Sequence, residues 1–184
     1  YLDLLGGIAV CALGHAHPKI TEVLADQAGE LIHCSNLFVN KWQPKLAHKL
    51  AELSAMDRVF FCNSGTEANE CAIKIARKHG RQKGIDSPQI IVFEGAFHGR
   101  TLGSLSATPT ESYQAPFKPL LPGFVVAPRN DLEALKAAID ANTCAILFEA
   151  IQRGLPCLAG CRHRRRLARQ SIVAIERRQR RAHR

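Results

Sequence analysis

Residues 58–80 read RVFFCNSGTEANECAIKIARKHG, and this stretch decides the fold. Its first part is a short apolar run that ends at Asn63, a pattern typical of a buried strand that stops at a functional turn. From Gly65 onward the apolar residues recur at helical spacing. We expect one buried stripe on this helix, formed by Ala68, Cys71, Ala72, Ile75, Ala76 and His79. The stretch therefore predicts a strand, a tight turn and a helix.

The rest of the chain continues this alternation of strands and helices. QIIVFEG at 89–95 and CAILFEA at 144–150 are continuous apolar runs, as expected of strands buried on both faces. NDLEALKAAIDAN at 130–142 predicts a helix with Asn130 as its N-cap. Two amphipathic helices are predicted upstream, at 17–31 and 43–54. The order predicts an α/β fold with a mostly parallel sheet and helices on both faces.

The net positive charge of the chain comes from its last 32 residues. Residues 1–152 contain 14 Lys plus Arg against 15 Asp plus Glu, whereas residues 153–184 contain 11 arginines, no lysine and one acid. A tail selected for phosphate contact would use both cations. We therefore expect residues 1–152 to form one domain and the tail to be aberrant, as a reading-frame shift in GC-rich coding DNA would produce, or disordered. The alternative is a nucleic-acid-binding tail, although it has no aromatic residue to stack on bases.

Composition limits the class of protein and its compartment. The seven cysteines are an odd number without tight paired spacing over the first 150 residues, which favours reduced thiols and the cytoplasm. No apolar run approaches the ~20 residues of a spanning helix, so we expect no membrane segment. Cys157, Cys161 and His163 are too few for a zinc site, and we expect no metal. Because Tyr1 is not an initiator residue, we also expect sequence before it.

The turn before the predicted helix at 65–80 has two interpretations. A helix start leaves backbone N–H groups unpaired near Gly65 and Thr66, and these groups together with the helix dipole attract a phosphate. Alternatively, Ser64 and Glu67 form a capping box, which needs no ligand. The stretch CNSGTEANE alone leaves both interpretations open.

Three motifs occur together in one order: GHAHP at 14–18, NSGTEANE at 63–70 and FEGAFHGRTLGSLSAT at 93–108. Together they resemble the class III aminotransferases, which use pyridoxal 5'-phosphate, and the resemblance runs from residue 1 to about residue 152. It implies an incomplete large domain of a fold-type I transferase that works as a homodimer. It also implies transamination between N-acetylornithine and 2-oxoglutarate in arginine biosynthesis. Succinylornithine, ornithine and 4-aminobutyrate are the alternative substrates.

The resemblance assigns the cofactor-binding residues. Gly65 and Thr66 would hold the cofactor phosphate through their backbone amides and the threonine hydroxyl. Phe97 would lie on the pyridine ring.

It also assigns the residues near the substrate. Arg100 would bind the substrate α-carboxylate in a bidentate fork. Glu149 matches the glutamate of the family's EPIQGEGG segment and would lie close to the substrate. Ser35 and Asn36 match a segment that faces the site, often from the neighbouring subunit.

The catalytic residues of the family are missing from this sequence. They are a lysine that forms the Schiff base with the cofactor and an aspartate that pairs with the pyridine nitrogen, and both follow the EPIQGEGG segment. The resemblance fails at Arg153, where glycine should open GEGG, and all nine lysines precede residue 137. We therefore assign no catalytic residue and expect this chain to be inactive alone.

Overall fold

The computed structural model describes residues 1–54, 56–152, 155–156 and 171–174, with Ala9 and the last two segments described by their backbone alone. The rest of the predicted tail, with Cys157, Cys161 and His163, lies outside the described residues. The chain divides into two compact units, Tyr1–Val59 and Phe60–Arg184.

The first unit contains the two predicted amphipathic helices. Its helical segments are α1 (Gly6–Ala9), α2 (Pro18–Glu30) and α3 (Gln43–Ser54). Trp42 joins the end of α2 to the start of α3, because its indole N–H donates to Oε1 of Gln27 at 2.7 Å. The ammonium groups of Lys41 and Lys45 lie 5.2 and 5.0 Å from the centre of the Trp42 ring. Neither α2 nor α3 has a buried residue.

The second unit is an α/β sheet structure. Its elements, in chain order, are α4 (Gly65–Gln82), β1 (Gln89–Phe93), α5 (Leu102–Ser106), α6 (Glu111–Gln114), a 3-10 turn (Ala115–Phe117), β2 (Phe124–Ala127), α7 (Leu132–Ala138), β3 (Thr143–Glu149), β4 (Ile151–Gln152), β5 (Leu155–Pro156) and β6 (Ser171–Ala174). Four strands form one sheet in the order β2-β1-β3-β6. Strand β1 is parallel to both β2 and β3, whereas β6 is antiparallel to β3.

The central strand β1 is buried on both faces, as its continuous apolar sequence predicts. Ile90 and Val92 pack in one core cluster with Ile73 and Ala76 of α4. Ile91 and Phe93 point to the other side and pack with Leu135 of α7 and Ala127 of β2. The prediction of a mostly parallel sheet covered by helices on both faces is confirmed.

The buried face of α4 differs from the predicted stripe. Its buried residues are Asn69, Ile73, Ala76 and Gly80, so only Ala76 belongs to the predicted set. Asn69 is buried because its amide donates to the backbone carbonyl of His98 at 2.7 Å. At Gly80 a Cβ would lie 2.9 Å from the Cβ atoms of Cys144 and Pro88, so the missing side chain allows α4 to approach the sheet closely. A count of apolar side chains detects neither feature.

Two further predictions were wrong in detail. No strand forms at residues 58–63, because none of the described strands pairs with this segment, and Phe60 is exposed. The N-cap of α7 is Asp131, whose carboxylate accepts a hydrogen bond from the N–H of Ala134 at 2.9 Å. Asn130 has a φ of 63°, and this left-handed conformation is incompatible with the extended backbone of an N-cap.

Candidate functional site

Polar residues gather where β1 and β3 end. Because the two strands are parallel, their carboxyl ends lie at the same edge of the sheet, which is where open α/β sheets bind ligands. The segment that follows β1 crosses this edge. It is attached to α4 through the hydrogen bond from Asn69 to the carbonyl of His98.

The first turn of α4 is capped but keeps free donors. The Ser64 hydroxyl donates to the Glu67 carboxylate at 2.9 Å and accepts from the Glu67 N–H at 3.3 Å. The hydroxyl holds the pKa of the Glu67 carboxyl below its ordinary value. Among the described residues, no group accepts a hydrogen bond from the backbone N–H of Gly65 or Thr66. The two interpretations of this turn are therefore compatible, since the cap leaves two amides available to an anion.

Three hydroxyl groups lie beside this turn. The Thr66 hydroxyl is 2.7 Å from that of Ser104, which is 2.7 Å from that of Thr101. Oε1 of Glu70 accepts a hydrogen bond from the Ser104 N–H at 3.0 Å and another from the Thr101 hydroxyl. Gly99 has a φ of 130°, and a Cβ at this position would lie 2.1 Å from Oγ1 of Thr66. Residues 99–104 therefore pack directly against the first two turns of α4, in a conformation that requires glycine.

The structure brings three of the predicted site residues together. Glu149, at the end of β3, accepts a hydrogen bond from the backbone N–H of Phe97 at 3.1 Å. The guanidinium carbon of Arg100 lies 3.7 Å from the centre of the Tyr113 ring and 5.8 Å from that of Phe97. Phe97 remains half exposed, so one part of its ring is available for contact. Tyr113 was not predicted.

Two buried polar residues at this edge were also missed by the sequence analysis. Gln152 is 1% exposed, and its side-chain N–H donates to the carbonyl of Glu94 at 2.7 Å. Its other amide atom, Oε1, is buried without a hydrogen-bond partner among the described residues. His98 is also 1% exposed, and burial lowers its pKa from 6.5 to about 4. His98 is therefore neutral near pH 7.

Two other predicted site residues belong to the other unit of the chain. Ser35 and Asn36 belong to the first unit and are exposed, and Ser35 has a φ of 60°. Lys118, which was not predicted as a site residue, is paired with the carboxylate of Glu111 at 2.7 Å. Within the part of the chain that the structure describes, no His, Cys, Asp and Glu side chains cluster as metal ligands would. No helix there is long and apolar enough to cross a membrane.

Comparison with known proteins covers the same part of the chain. The profile of the family "Aminotransferase class-III" matches residues 1–155. The acetylornithine aminotransferases of Gloeobacter violaceus and Methanocaldococcus jannaschii are each 54% identical over 153 residues, which is 83% of this chain and 38% of those enzymes. The mitochondrial acetylornithine aminotransferase of Debaryomyces hansenii is 49% identical over 160 residues, which is 34% of that enzyme. This chain thus spans less than two fifths of these relatives' length.

Solved structures give the same result for the fold. An ornithine aminotransferase from Toxoplasma gondii superposes with a TM-score of 0.79 at 34% identity, over 85% of this chain and 39% of that one. An amine transaminase from an uncultivated Pseudomonas species, in its pyridoxal-phosphate-bound form, superposes with a TM-score of 0.64 at 25% identity, over 74% of this chain and 34% of that one. The described sheet therefore corresponds to part of a transaminase domain.

Proposed function

The chain belongs to the class III aminotransferase family, and on that premise we propose that it is part of an enzyme that transfers an amino group from N-acetylornithine to 2-oxoglutarate with pyridoxal 5'-phosphate. The proposal rests on one observation. The free amides of Gly65 and Thr66 begin a helix that contacts the segment carrying Phe97 and Arg100.

The residues present fit the phosphate and the ring of this cofactor. Two unpaired amides at a helix start suit a phosphate, and the half-exposed ring of Phe97 suits an aromatic face. The unpartnered Oε1 of Gln152 could accept a hydrogen bond from a polar group of a ligand at the same edge.

The cofactor, when bound, supplies an aromatic ring that withdraws electrons from the substrate. The amides of Gly65 and Thr66 would bind its phosphate, supported by the dipole of α4 with about 0.3–1 kcal/mol. Packing of Phe97 against the ring would add about 0.5–1.5 kcal/mol beyond the burial of its surface. The direct contribution of the Thr66 hydroxyl to phosphate binding stays a prediction.

Arg100 and Glu149 are the residues that we propose for the substrate. Arg100 stacks on Tyr113 through the face of its guanidinium. Stacking leaves the N–H groups at the edge of the guanidinium directed away from the ring, where they can hold a carboxylate in a bidentate fork. One oxygen of Glu149 is engaged by the Phe97 N–H. We also propose that Ser35 and Asn36 face the substrate from the second subunit of a homodimer.

Membership of the family does not by itself specify the substrate. Identity of about 50% with enzymes named as acetylornithine aminotransferases favours N-acetylornithine. The alternatives are succinylornithine, ornithine and 4-aminobutyrate. A cytoplasmic location also stays a prediction. Because no lysine of the chain follows residue 136, we propose that turnover requires residues beyond those of this chain.

Cofactor titration tests this proposal. We expect pyridoxal 5'-phosphate to bind at least tenfold more tightly than pyridoxal, because only the former offers a phosphate to the helix start. Phe97→Ala should weaken binding about threefold to tenfold, from the stacking energy above. Phe117→Ala, at a similarly exposed phenylalanine to which no role in the site is assigned, is the control. Equal affinity for the two compounds would contradict the proposal.

Calorimetry of the cofactor-loaded chain with the candidate amino acids would then address the substrate. N-acetylornithine should bind more tightly than ornithine or 4-aminobutyrate, and Arg100→Gln should weaken its binding. Arg81→Gln, which alters an exposed arginine paired with Asp86, controls for the loss of one positive charge. If 4-aminobutyrate bound more tightly than N-acetylornithine, 4-aminobutyrate would become the proposed substrate.

The second candidate function is nucleic-acid binding through the tail, favoured by the 11 arginines of residues 153–184. It predicts binding to RNA or DNA that weakens steeply with salt and disappears when these residues are deleted. Retention of the same affinity by the shortened chain would contradict it.

A further inference from the structure

We propose that Tyr113 is a positioning residue for Arg100. Its ring holds the Arg100 guanidinium in the orientation in which the N–H groups bind the α-carboxylate of the substrate, so Tyr113 strengthens the preference for a substrate that has this carboxylate. The inference rests on the proposed function, since it concerns the carboxylate that Arg100 is proposed to bind.

The backbone next to Arg100 is fixed by hydrogen bonds. The N–H of His98 donates to the Thr108 hydroxyl at 2.9 Å, and the carbonyl of His98 accepts from the side-chain amide of Asn69 at 2.7 Å. Both bonds are buried. The start of the Arg100 side chain therefore has a defined place. Its several rotatable bonds would still let the guanidinium take many positions unless another group restrains it.

The Tyr113 ring is the group that restrains it. The guanidinium carbon of Arg100 lies 3.7 Å from the centre of this ring, which is van der Waals contact, and 5.8 Å from the centre of the Phe97 ring, near the limit for a cation–π interaction. Within the part of the chain that the structure describes, the guanidinium has these two ring contacts and no hydrogen bond or ion pair. Because Arg100 is also exposed, its N–H groups are available to a ligand.

Tyr113 is itself held in place through α6. The side-chain amide of the next residue, Gln114, donates to the carbonyl of Leu105 at 3.0 Å and to that of Thr108 at 2.9 Å. These bonds attach α6 to the end of α5. Thr108 also accepts the hydrogen bond from the N–H of His98. The segment that carries the ring and the segment that carries the arginine therefore share one support.

A stacked guanidinium can bind a carboxylate without leaving the ring. The guanidinium is planar and its N–H groups lie in that plane, so a carboxylate approaches the edge while the ring covers one face. Because Tyr113 already restricts the side chain, less conformational entropy is lost when the carboxylate binds. Loss of the ring should therefore weaken the binding of ligands that have the carboxylate and leave the binding of other ligands unaffected.

Calorimetry of the full chain loaded with pyridoxal 5'-phosphate compares N-acetylornithine with N-acetylputrescine, the same molecule without its carboxylate. Tyr113→Leu should weaken the binding of N-acetylornithine about threefold to tenfold, from the lost cation–π contact, and leave that of N-acetylputrescine within about twofold. Tyr113→Phe keeps an aromatic face and should restore the affinity of the unaltered chain. Phe117→Leu, at a ring outside the two that the guanidinium faces, is the control. None of these variants changes the charge of the chain.

NMR of the unaltered chain tests the stacking without a variant. Protons above an aromatic face are shifted upfield, so the side-chain protons of Arg100 next to the guanidinium should lie upfield of those of Arg81, which is exposed and paired with Asp86. Saturation with N-acetylornithine should move the Nε–H resonance of Arg100, because a new acceptor binds it, while the upfield shift persists. Loss of the upfield shift on binding would show that the guanidinium leaves the ring, and it would overturn the inference.

The outcomes separate the two proposals. Equal affinity of the unaltered chain for the two ligands, or binding of neither, would overturn the proposed role of Arg100 and this inference with it. A preference for N-acetylornithine that is unchanged in Tyr113→Leu would overturn the inference alone. Equal weakening of both ligands in that variant would do so too, because it would indicate general damage to the fold. Circular dichroism checks that each variant folds, and if Tyr113→Leu does not fold, the NMR comparison decides.

Discussion

The carboxylate of Glu149 holds the backbone N–H of Phe97 at 3.1 Å, although 52 residues separate them in the chain. Glu149 is the last residue of β3, and Phe97 lies in the segment that follows β1. Because β1 and β3 are neighbouring parallel strands, the bond fixes this segment to the adjacent strand end. Glu149 therefore has a structural contact that its predicted place beside the substrate does not require.

This contact predicts that Glu149→Ala weakens pyridoxal 5'-phosphate binding even without substrate. The variant loses a hydrogen bond to a charged acceptor, about 1.5–3 kcal/mol, and we expect an affinity loss of about tenfold. Glu149→Gln keeps an acceptor oxygen and should lose less. Glu94→Gln changes a carboxylate near the same edge, and it serves as the control because the hydrogen bonds of Glu94 among the described residues are made by its backbone carbonyl and N–H. Unchanged cofactor affinity in Glu149→Ala would show that its hydrogen bond to Phe97 does not contribute to cofactor binding.

The conformation of Gly99 leads to a prediction about stability. Gly99→Ala should lower the free energy of unfolding by more than about 3 kcal/mol, because the new Cβ overlaps the Thr66 side chain at a φ of 130°. Gly84→Ala is the matched control. Gly84 also has a positive φ, of 83°, but nothing lies within 4 Å of its added Cβ, so we expect a cost near 1 kcal/mol. Urea unfolding of both variants measures the difference, and equal costs would contradict the steric explanation.

Much of the second unit could be predicted from sequence because its central strands are buried on both faces. Continuous apolar runs identify β1 and β3 for this reason. Strand β2 was missed because it has only four residues, and Val126 is half exposed. The expected strand at 58–63 failed because a strand needs a neighbour, and the local sequence contains no information about that neighbour.

Candidate site residues could be named from the sequence only where motifs matched a known family. Phe97, Arg100 and Glu149 were predicted in this way, and the structure places them close together, while their roles stay predictions. Asn69 and Glu70 were missed because their hydrogen bonds go to the backbone of a distant segment. Such bonds produce neither periodicity nor a charge pattern in the sequence.

Burial of His98 predicts a specific acid sensitivity. Its pKa is about 4 in the folded chain against 6.5 ordinarily, so the unfolded chain takes up the proton first as the pH falls. The contribution of His98 to the free energy of unfolding is fully present above pH 6.5. It is lost as the pH falls from 6.5 to 4, by an amount on the order of 3 kcal/mol. Urea unfolding across this range should show a smaller loss for His98→Gln. Parallel pH curves for the two proteins would refute the assignment.

The positions of the lysines predict the outcome of a trapping experiment. All nine lysines precede residue 137, and Lys118 is engaged by Glu111. We expect borohydride treatment of the chain with one equivalent of pyridoxal 5'-phosphate to leave no single lysine stoichiometrically modified, as judged by peptide mass spectrometry. Lys118→Arg is the control for labelling at that loop. Full modification of one lysine would show that the chain contains its own reactive amine.

The close approach of α4 to the sheet at Gly80 has a consequence for natural variation. Gly80 touches Cys144 and Pro88 near the end of the helix, whereas Gly65 and Thr66 begin it. The 15 residue steps from Gly65 to Gly80 correspond to about 22 Å along a helix axis. A larger residue at position 80 would tilt this rigid rod and displace its opposite end. Mutations remote from the site could therefore tune ligand affinity during evolution while every contacting residue stays the same.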